Sequence, residues 1–274
     1  MDKVTTWFNT PAKATQLAKP KTLDELRKVD FSQPYFCIGA GSNTLIRDGG
    51  YQGTVIKLAG EFAKFQKIDD TKVKVGAGCA NRIAVQKCVE NELSGLEFLV
   101  GIPGTIGGAI FMNAGALSDE TKDVLVECEI MTPDGQVHII KDFGMTYRKG
   151  NIRKDAIILN GTFQLKHKSK FEIESKVHEF LAHRAEAQPV KGRTGGSTFK
   201  NPEGHKAWEL IDAVGLRGYR IGDAEFSPKH CNFIMNVGHA TAQDIEKLGE
   251  LARERVREKF GIELEWEIQR VGQG

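Results

Sequence analysis

Two short glycine-rich segments of this 274-residue chain have the composition of a phosphate-binding backbone. The first is Gly-Ala-Gly-Ser-Asn at 39–43, and the second is the loop 101–108, which contains Pro103 and Thr105. Glycine lets the main chain approach a ligand without a Cβ atom and reach positive φ, so backbone N–H groups can converge on a pyrophosphate. Each segment alone is more often a tight turn, but two of them favour a large phosphate-bearing ligand.

Neither segment matches the two commonest nucleotide-binding signatures. The dinucleotide fingerprint needs Gly-x-Gly-x-x-Gly, and the first segment has Thr44 where the third glycine belongs. A Walker P-loop ends in Gly-Lys-Ser/Thr, whereas the second segment runs into Gly107, Gly108 and Ala109. A Rossmann or P-loop fold is therefore disfavoured, while a phosphate-binding role for both segments stays open.

A third cluster brings a hydroxyl, a cation and an amide within five residues. Ser197, Lys200 and Asn201 follow the glycine pair at 195–196, which would leave them accessible. A serine in this setting is more often a turn residue. The surrounding sequence is not the Gly-x-Ser-x-Gly elbow of a serine hydrolase.

Two further groups of charged residues are ambiguous when taken alone. Glu263, Glu265 and Glu267 alternate with apolar residues, so a strand would project all three carboxylates from one face. A solvated strand edge explains them equally well. The pair Tyr147-Arg148 is by itself typical of a protein surface.

Composition and charge exclude several classes of protein. Thirty-eight Lys and Arg against 36 Asp and Glu give a net charge of +2, which argues against a general nucleic-acid binder. The five cysteines form no Cys-x-x-Cys pair, as expected in a reducing compartment. The N-terminus lacks the apolar core of a signal peptide, and no run approaches the roughly 20 apolar residues of a membrane span. We expect a cytoplasmic monomer with no metal site, no nucleic-acid partner and no membrane anchor.

The elements that must position these residues mix strands and helices without a regular βαβ repeat. Period-two or wholly apolar stretches predict strands at 54–58, 72–75, 126–130, 137–140, 156–159, 231–237 and 262–271. Helical spacing predicts helices at 81–92, 172–187 and 208–214. A last helix starts at Thr241, with Asp244 completing a capping box, and ends at Gly261. The polar stretch 166–170 predicts a linker or a hairpin tip.

Taken in order, these motifs resemble one family, the UDP-N-acetylenolpyruvoylglucosamine reductases (MurB) of bacterial peptidoglycan synthesis. The resemblance runs from about residue 35 to the end of the chain. The stretches that carry it are Gly-Ala-Gly-Ser-Asn-Thr-Leu at 39–45, Gly-Leu-Glu-Phe at 95–98, the loop 101–108, Asn-Ala-Gly-Ala at 113–116, Tyr-Arg at 147–148, Gln-Pro at 188–189, Gly-Ser-Thr-Phe-Lys-Asn-Pro at 196–202, Lys-His-Cys-Asn-Phe at 229–233 and Gly-Ile-Glu-Leu-Glu-Trp-Glu-Ile at 261–268. The chain looks like the compact form of the family, without the extra tyrosine-bearing loop.

The resemblance implies an α+β fold and a reaction in two halves. An FAD-binding domain of the vanillyl-alcohol-oxidase (PCMH) type is expected at 1–165, with two subdomains that divide near residue 60. A smaller α+β substrate-binding domain is expected at 166–274, with a last strand that returns toward the FAD site. NADPH would reduce FAD, and the reduced flavin would deliver hydride to the enolpyruvyl ether on UDP-N-acetylglucosamine. The product would be UDP-N-acetylmuramate.

The resemblance also assigns roles to individual residues. The expected FAD contacts are Gly39, Ala40, Gly41, Ser42, Asn43, Leu45, Gly101, Ile102, Pro103, Gly104, Thr105, Gly107, Gly108, Asn113 and Gly115. The expected substrate contacts are Tyr147, Lys200, Asn201 and Asn232. The expected catalytic residues are Arg148, Ser197 and Glu267.

The chemistry of the implied reaction explains these catalytic residue types. Hydride addition at the β-carbon leaves negative charge at the α-carbon, and a well-aimed donor there is worth roughly 3–4 kcal/mol. The guanidinium fork of Arg148 could hold the adjacent carboxylate, and Glu267 could donate if burial kept it protonated. By resemblance Ser197 gives the α-carbon its proton. Because a serine hydroxyl is a weak acid, Lys200 is expected to assist it.

Two positions depart from the family pattern, and three other functions stay open. Residues 8–12 lack the glycine pair usual before Pro-Ala, which weakens any assignment of FAD contacts before residue 35. Lys149-Gly150 replaces the residue usual after Tyr-Arg. The alternatives are an oxidase or dehydrogenase of the same FAD fold, a non-catalytic binder of flavin or nucleotide sugar, and a non-enzymatic structural protein. Retention of all three candidate catalytic residues argues against the second, and the ordered motifs argue against the third.

Overall fold

The computed structural model describes residues 1–189 and 191–274 of the chain. The strands in this part of the chain are β1 (Asp2–Val4), β2 (Ala12–Ala18), β3 (Tyr35–Cys37), β4 (Thr44–Ile46), β5 (Tyr51–Ile56), β6 (Phe65–Lys67), β7 (Lys72–Gly76), β8 (Leu93–Ser94), β9 (Gly115–Ala116), β10 (Asp119–Glu120), β11 (Leu125–Met131), β12 (Val137–Ile140), β13 (Ile157–Gln164), β14 (Lys166–His167), β15 (Arg193–Ser197), β16 (Arg220–Ile221), β17 (Ala224–Phe226), β18 (Phe233–Asn236) and β19 (Gln269–Val271). The α-helices are α1 (Leu23–Arg27), α2 (Asn81–Glu90), α3 (Ile106–Met112), α4 (Lys170–Ala187), α5 (Ala207–Ala213) and α6 (Ala242–Phe260). Among the described residues, no helix has both the length and the apolar character that crossing a membrane requires.

The chain divides into two compact units whose segments interleave in sequence. Unit 1 comprises Met1–Leu17, Gly41–Val55 and Ala185–Gly274. Unit 2 comprises Ala18–Ala40 and Ile56–Arg184. Both units mix helices and strands, as the α+β prediction requires. The functional domain boundary predicted at 165/166 and the subdomain boundary near residue 60 stay predictions.

Unit 2 is built on a five-stranded antiparallel sheet in the order β12-β11-β13-β7-β6. The central strand β13 is largely buried, in keeping with the wholly apolar sequence at its start. Helix α3 packs against β13 at Gly161, where an added Cβ would lie 2.7 Å from Ile110 Cδ1. The helix can therefore approach the sheet closely at this position because β13 lacks a side chain there.

Strand β7 leads into the second Gly-Ala-Gly turn, at 76–78, which is filled by other parts of unit 2. Its three amides donate to the carbonyls of Lys64, Leu159 and Phe62, at 2.8, 2.9 and 2.8 Å. A Cβ added to Gly76 would overlap the Phe62 carbonyl oxygen. This turn needs glycine because the neighbouring backbone occupies the space.

Unit 1 contains the antiparallel sheet β15-β18-β17-β16, the hairpin of β1 and β2, and the parallel pair of β4 and β19. Helix α6 packs on this sheet through an apolar stripe, and its core residues include Ile245 and Leu248. The predicted capping box of Thr241 and Asp244 is present, and Gly261 ends the helix with φ +69°. Local sequence signals thus fix both ends of this helix.

Three predicted elements differ clearly from the structure, and one of them, the strand predicted at 156–159, continues to Gln164. Only Gln269–Val271 of the predicted strand 262–271 pairs in a ladder, with Trp266 forming an isolated bridge to Phe199. The indole of Trp266 packs against α6 at Gly249, so tertiary packing overrides the period-two pattern. The polar stretch 166–170 is not a linker, because Lys166–His167 pairs with Leu93–Ser94 and α4 begins at Lys170.

Candidate active site

The glycine-rich loop 101–108 of unit 2 is fixed by Asn81, which belongs to none of the sequence motifs. Asn81, the first residue of α2, donates its side-chain amide to the Ile102 carbonyl at 2.9 Å and its N–H to the Gly104 carbonyl at 3.1 Å. Asn81 is almost fully buried. In the sequence Asn81 was visible only as a helix start, because its partners lie more than twenty positions away.

The two glycines at the end of this loop have different roles. An added Cβ on Gly107 would lie 2.9 Å from Ala77 Cβ, and the Gly107 N–H donates to the Ala77 carbonyl at 2.8 Å. Gly108 is exposed, and the nearest atom to an added Cβ is Thr105 Oγ1 at 3.9 Å. Gly107 therefore serves packing within unit 2, whereas Gly108 faces open space.

The first Gly-Ala-Gly turn, at 39–41, leaves its amides unused. Within residues 1–189 and 191–274, the amides of this turn donate no hydrogen bond to another residue. A Cβ added to Gly39 would lie 2.5 Å from Thr105 Oγ1, so the turn and the loop 101–108 meet at a glycine and a hydroxyl. Unpaired amides beside a hydroxyl are the donor set that a pyrophosphate needs, so these residues fit the diphosphate of FAD.

Asn113, a predicted cofactor contact, organises the chain at the C-terminal end of α3. It is fully buried and adopts the left-handed conformation, with φ 43°. Its side-chain amide donates to the Thr146 carbonyl at 3.0 Å and to Glu120 Oε2 at 3.2 Å, while its Oδ1 accepts from the Lys122 N–H at 3.0 Å. Its polar atoms are therefore used within unit 2.

The same end of α3 carries the turn that presents Arg148. Thr146 and Lys149 exchange two backbone hydrogen bonds of 3.0 Å, which leaves Tyr147 and Arg148 at the tip. Arg148 has φ +55°, and its guanidinium carbon lies 5.0 Å from the centre of the Tyr147 ring. Because left-handed backbone is strained for arginine, the surrounding hydrogen bonds must hold this conformation.

Two neighbouring glycines of unit 2 are required by close backbone packing. A Cβ on Gly150 would overlap the Ile110 carbonyl oxygen, and the Gly150 N–H donates to the Phe111 carbonyl at 2.9 Å. The departure from the family pattern at 149–150 thus places a glycine where only glycine fits. Gly115 is a comparable case, since its Cβ would lie 2.7 Å from the Asp119 carbonyl oxygen.

In unit 1, a β-bulge presents Ser197. Thr194 pairs with Met235 and Ser197 pairs with Phe233, so the two-residue step on β18 faces a three-residue step on β15. Inside the bulge, Gly196 has φ +81° and no atom within 4 Å of an added Cβ. Bulges re-aim side chains, and Ser197 remains partly exposed.

The bulge rests on an N-terminal residue that the sequence did not reveal. A Cβ added to Gly195 would lie 2.5 Å from the Phe8 ring, and Phe8 is fully buried. The Phe8 carbonyl accepts a 2.8 Å hydrogen bond from the side chain of Asn236. No motif signalled this role, because the stretch 8–12 departs from the family pattern.

Glu267, the second predicted catalytic residue of unit 1, is hydrogen-bonded through its backbone to the residue that follows Ser197. The Glu267 N–H donates to the carbonyl of Thr198 at 2.9 Å. The Glu267 carbonyl accepts from the side-chain amide of Asn43 at 3.0 Å. The structure therefore brings Ser197 and Glu267 together within unit 1, while Arg148 belongs to unit 2.

The side chain of Asn232, a predicted substrate contact, is hydrogen-bonded to the backbone that follows Ser197. Its side chain accepts from the Phe199 N–H at 2.9 Å and donates to the Phe199 carbonyl at 2.8 Å, and the side chain is buried. Its own carbonyl accepts from the Thr198 N–H at 2.7 Å. Burial lowers the pKa of His230, whose Nδ1 accepts the Asn232 N–H at 3.3 Å. Asn232 thus shapes the serine segment from behind.

Three other predicted site residues also have protein partners. Lys200 Nζ lies 2.6 Å from Glu265 Oε1, so its charge is paired in the structure. Asn201 Oδ1 accepts the N–H of Ala207 at 3.0 Å and so organises the start of α5. Leu45 is fully buried in the core of unit 1.

The comparisons with known proteins identify the family. The FAD binding domain family model matches residues 15–141. The model of the UDP-N-acetylenolpyruvoylglucosamine reductase C-terminal domain matches residues 188–271. The two matches support the predicted fold class, an FAD-binding part followed by a smaller α+β part.

Relatives and a solved structure match almost the whole chain. The UDP-N-acetylenolpyruvoylglucosamine reductase of Sphingopyxis alaskensis is 43% identical, over 97% of this chain and 91% of its own length. That of Rickettsia bellii is 46% identical, over 97% and 90%. The crystal structure of MurB from Thermus caldophilus has a TM-score of 0.86 at 38% identity and covers 97% of this chain and 96% of its own. The chain therefore belongs to the UDP-N-acetylenolpyruvoylglucosamine reductase family.

Proposed function

We propose that this chain reduces UDP-N-acetylenolpyruvoylglucosamine to UDP-N-acetylmuramate, with NADPH as reductant and FAD as cofactor, in peptidoglycan precursor synthesis. The observation that carries the proposal is the serine-bearing bulge of β15 with Glu267 on the neighbouring backbone. This arrangement lies inside the segment that matches the reductase C-terminal model. A protein that only bound flavin would need neither the bulge nor the glutamate.

FAD would be held through the first Gly-Ala-Gly turn and the loop 101–108. The unpaired amides at 39–41, the hydroxyl of Thr105 and the exposed backbone of Gly108 supply donors for the diphosphate. Gly101, Ile102, Pro103 and Gly104 would shape the same wall, and Ala40 and Ser42 would complete the turn. When bound, FAD supplies the transfer of a hydride from NADPH to the β-carbon of the enolpyruvyl ether.

Ser197 would protonate the α-carbon of the substrate. Hydride addition places an electron pair there, and the proton of the serine hydroxyl completes the new C–H bond, leaving an alkoxide that solvent reprotonates. Ser197 lies at the β-bulge next to Gly196, which has positive φ, and it is partly exposed, so a substrate can reach its hydroxyl. Lys200, which is paired with Glu265, would assist through its positive charge.

Arg148 and Glu267 would stabilise the negative charge that develops on the substrate. The guanidinium of Arg148 would bind the substrate carboxylate, and a protonated Glu267 would donate a further hydrogen bond. Tyr147 and Asn201 would contact the substrate. Asn113 and Asn232 would act by organising the backbone, since their side chains are engaged with the protein.

We further propose that the protein works as a cytoplasmic monomer that binds neither nucleic acid nor a membrane. The net charge of +2 on 274 residues supports the absence of nucleic-acid binding, because a polyanion-binding surface needs an excess of cations. Light scattering coupled to size exclusion would test the monomer, with 30.3 kDa expected for one chain. A mass of twice that value would contradict it.

The decisive test separates the two halves of the reaction under anaerobic conditions. NADPH should bleach the flavin absorbance of the purified protein. Adding enolpyruvyl-UDP-N-acetylglucosamine should restore that absorbance and yield one UDP-N-acetylmuramate per flavin. Recovery of the flavin absorbance with oxygen but not with the enolpyruvyl substrate would indicate an oxidase instead. A colourless protein would refute a flavin-dependent function.

A serine substitution tests the proposed proton donor. Ser197→Ala should leave flavin reduction by NADPH intact and slow the substrate half-reaction about 10²- to 10⁴-fold, as expected when a general acid is lost. Ser175→Ala is the matched control, because that serine lies on the exposed face of α4. Normal substrate reduction by Ser197→Ala would remove serine from the mechanism.

A further inference from the structure

Asn43 lies two residues after the first Gly-Ala-Gly turn, and its side chain contacts the backbone of Glu267. Its side-chain amide donates to the Glu267 carbonyl at 3.0 Å. Its own carbonyl accepts the N–H of Gln269 at 2.9 Å. Asn43 therefore makes two hydrogen bonds to the C-terminal segment, one on each side of Ile268, which is buried.

This double contact extends a parallel strand pair by one step. Strand β4 begins at Thr44, which pairs with Gln269 of β19. In a parallel ladder the next backbone bond would fall at Asn43, and the side chain supplies the donor there that regular backbone would otherwise provide. The register of the two strands therefore sets the position of Glu267 relative to β4.

Glu267 is held on its other side by the serine segment. Its N–H donates to the carbonyl of Thr198, the residue after Ser197. With the N–H bound to one segment and the carbonyl bound to Asn43, the peptide groups flanking the Glu267 side chain are both fixed. A side chain used in catalysis needs such placement to within a fraction of an ångström.

We propose that Asn43 is a positioning residue for Glu267, which it holds in register with Ser197, and that its side chain is not a ligand of FAD. The inference rests on the proposed function, because it takes Glu267 as a catalytic residue. The side-chain amide nitrogen of Gln269 lies 3.4 Å from the Glu267 carbonyl oxygen, so the loss of the Asn43 side chain weakens the placement of Glu267 without abolishing it. Asn43→Asp acts more strongly than Asn43→Ala, because it turns an acceptor toward the carbonyl.

A double-mutant cycle on the FAD-loaded enzyme tests the proposal. Asn43→Ala lowers the rate of the substrate half-reaction about 10-fold, while the KM for the enolpyruvyl substrate and the dissociation constant of FAD stay within about 2-fold of wild type. In the Glu267→Ala background the same substitution changes the rate by less than about 2-fold, because the carboxyl group that Asn43 positions is absent there. Asn91→Ala is the control, since Asn91 also donates to a backbone carbonyl, that of Lys87, at the exposed end of α2.

Each outcome decides between this role and the alternatives. Weaker FAD binding by Asn43→Ala, or a rate loss of equal size in both backgrounds, overturns the proposal and makes Asn43 a cofactor ligand or a general structural residue. A rate loss shared by Asn91→Ala also overturns it, because reduced stability would then explain the effect. Failure of the wild type to reduce the substrate would instead refute the proposed function.

Discussion

The chain contains the tripeptide Gly-Ala-Gly twice after a strand, and the two copies do opposite things. At 76–78 the amides bind carbonyls of Lys64, Leu159 and Phe62 within unit 2. At 39–41 the amides have no protein acceptor in the described part of the chain. The same three residues thus form a packed turn in one place and an open donor array in the other.

Glycine makes a different contribution in each turn. At Gly76 an added Cβ would overlap a backbone carbonyl oxygen, that of Phe62. At Gly39 an added Cβ would meet the hydroxyl of Thr105, a side-chain atom, at 2.5 Å. Backbone cannot move aside without disturbing the sheet, whereas a hydroxyl can rotate. Glycine is therefore needed for folding in the second turn and, in our proposal, for access to FAD in the first.

The largest expected effect is on folding, at the second turn. Gly76→Ala should lower the free energy of unfolding by about 3 kcal/mol, because the new methyl group is forced against rigid backbone. Urea denaturation followed by circular dichroism, with and without FAD, measures this loss. A variant as stable as wild type would show that the packing around 76–78 relaxes easily, and the contrast between the turns would lose its basis.

The matched substitution in the first turn should affect the cofactor instead. Gly39→Ala should leave the unfolding free energy of the apoprotein within about 1 kcal/mol of wild type. It should weaken FAD about 10- to 100-fold, because the methyl group would displace the Thr105 hydroxyl, a proposed donor to the diphosphate. Fluorescence titration of the apoprotein with FAD measures the dissociation constant. Equal losses of stability at Gly39 and Gly76 would contradict the division of roles.

A smaller effect is expected from a substitution that tests the contact between the first turn and the loop 101–108. Thr105→Ala should weaken FAD about 3- to 10-fold, as expected for one lost hydrogen bond. In the Gly39→Ala background it should cost nothing further, because the atom left at position 105 lies 3.5 Å from the added Cβ, an ordinary contact. The same titrations on the four proteins give the comparison, and multiplicative losses would count against a direct contact.

The sequence predicts well what short-range signals control. The capping box of Thr241 and Asp244 and the glycine at 261 mark the ends of α6 as the structure has them. The strand expected at 137–140 is also found at those residues. Each of these signals depends on neighbours within a few positions, which is why pattern reading succeeds there.

The sequence could not distinguish features that depend on distant partners. The two Gly-Ala-Gly turns look alike until Phe62 and Leu159 are seen to fill one of them. Asn113 and Asn232 carry the right chemistry for ligands, yet backbone groups occupy their side chains. Phe8 supports the serine bulge from the far end of the chain. Tertiary packing decides these cases, and no local pattern encodes it.

Amide hydrogen exchange distinguishes an open donor array at 39–41 from a packed turn at 76–78. Without FAD, the amides at 39–41 should exchange rapidly, while those at 76–78 should be protected by their hydrogen bonds to carbonyls. Binding of FAD should slow exchange at 39–41 by at least about 10-fold and leave 76–78 unchanged. Protection at 39–41 that is already present in the apoprotein and unaffected by FAD would show that this turn is not an open donor array for the cofactor.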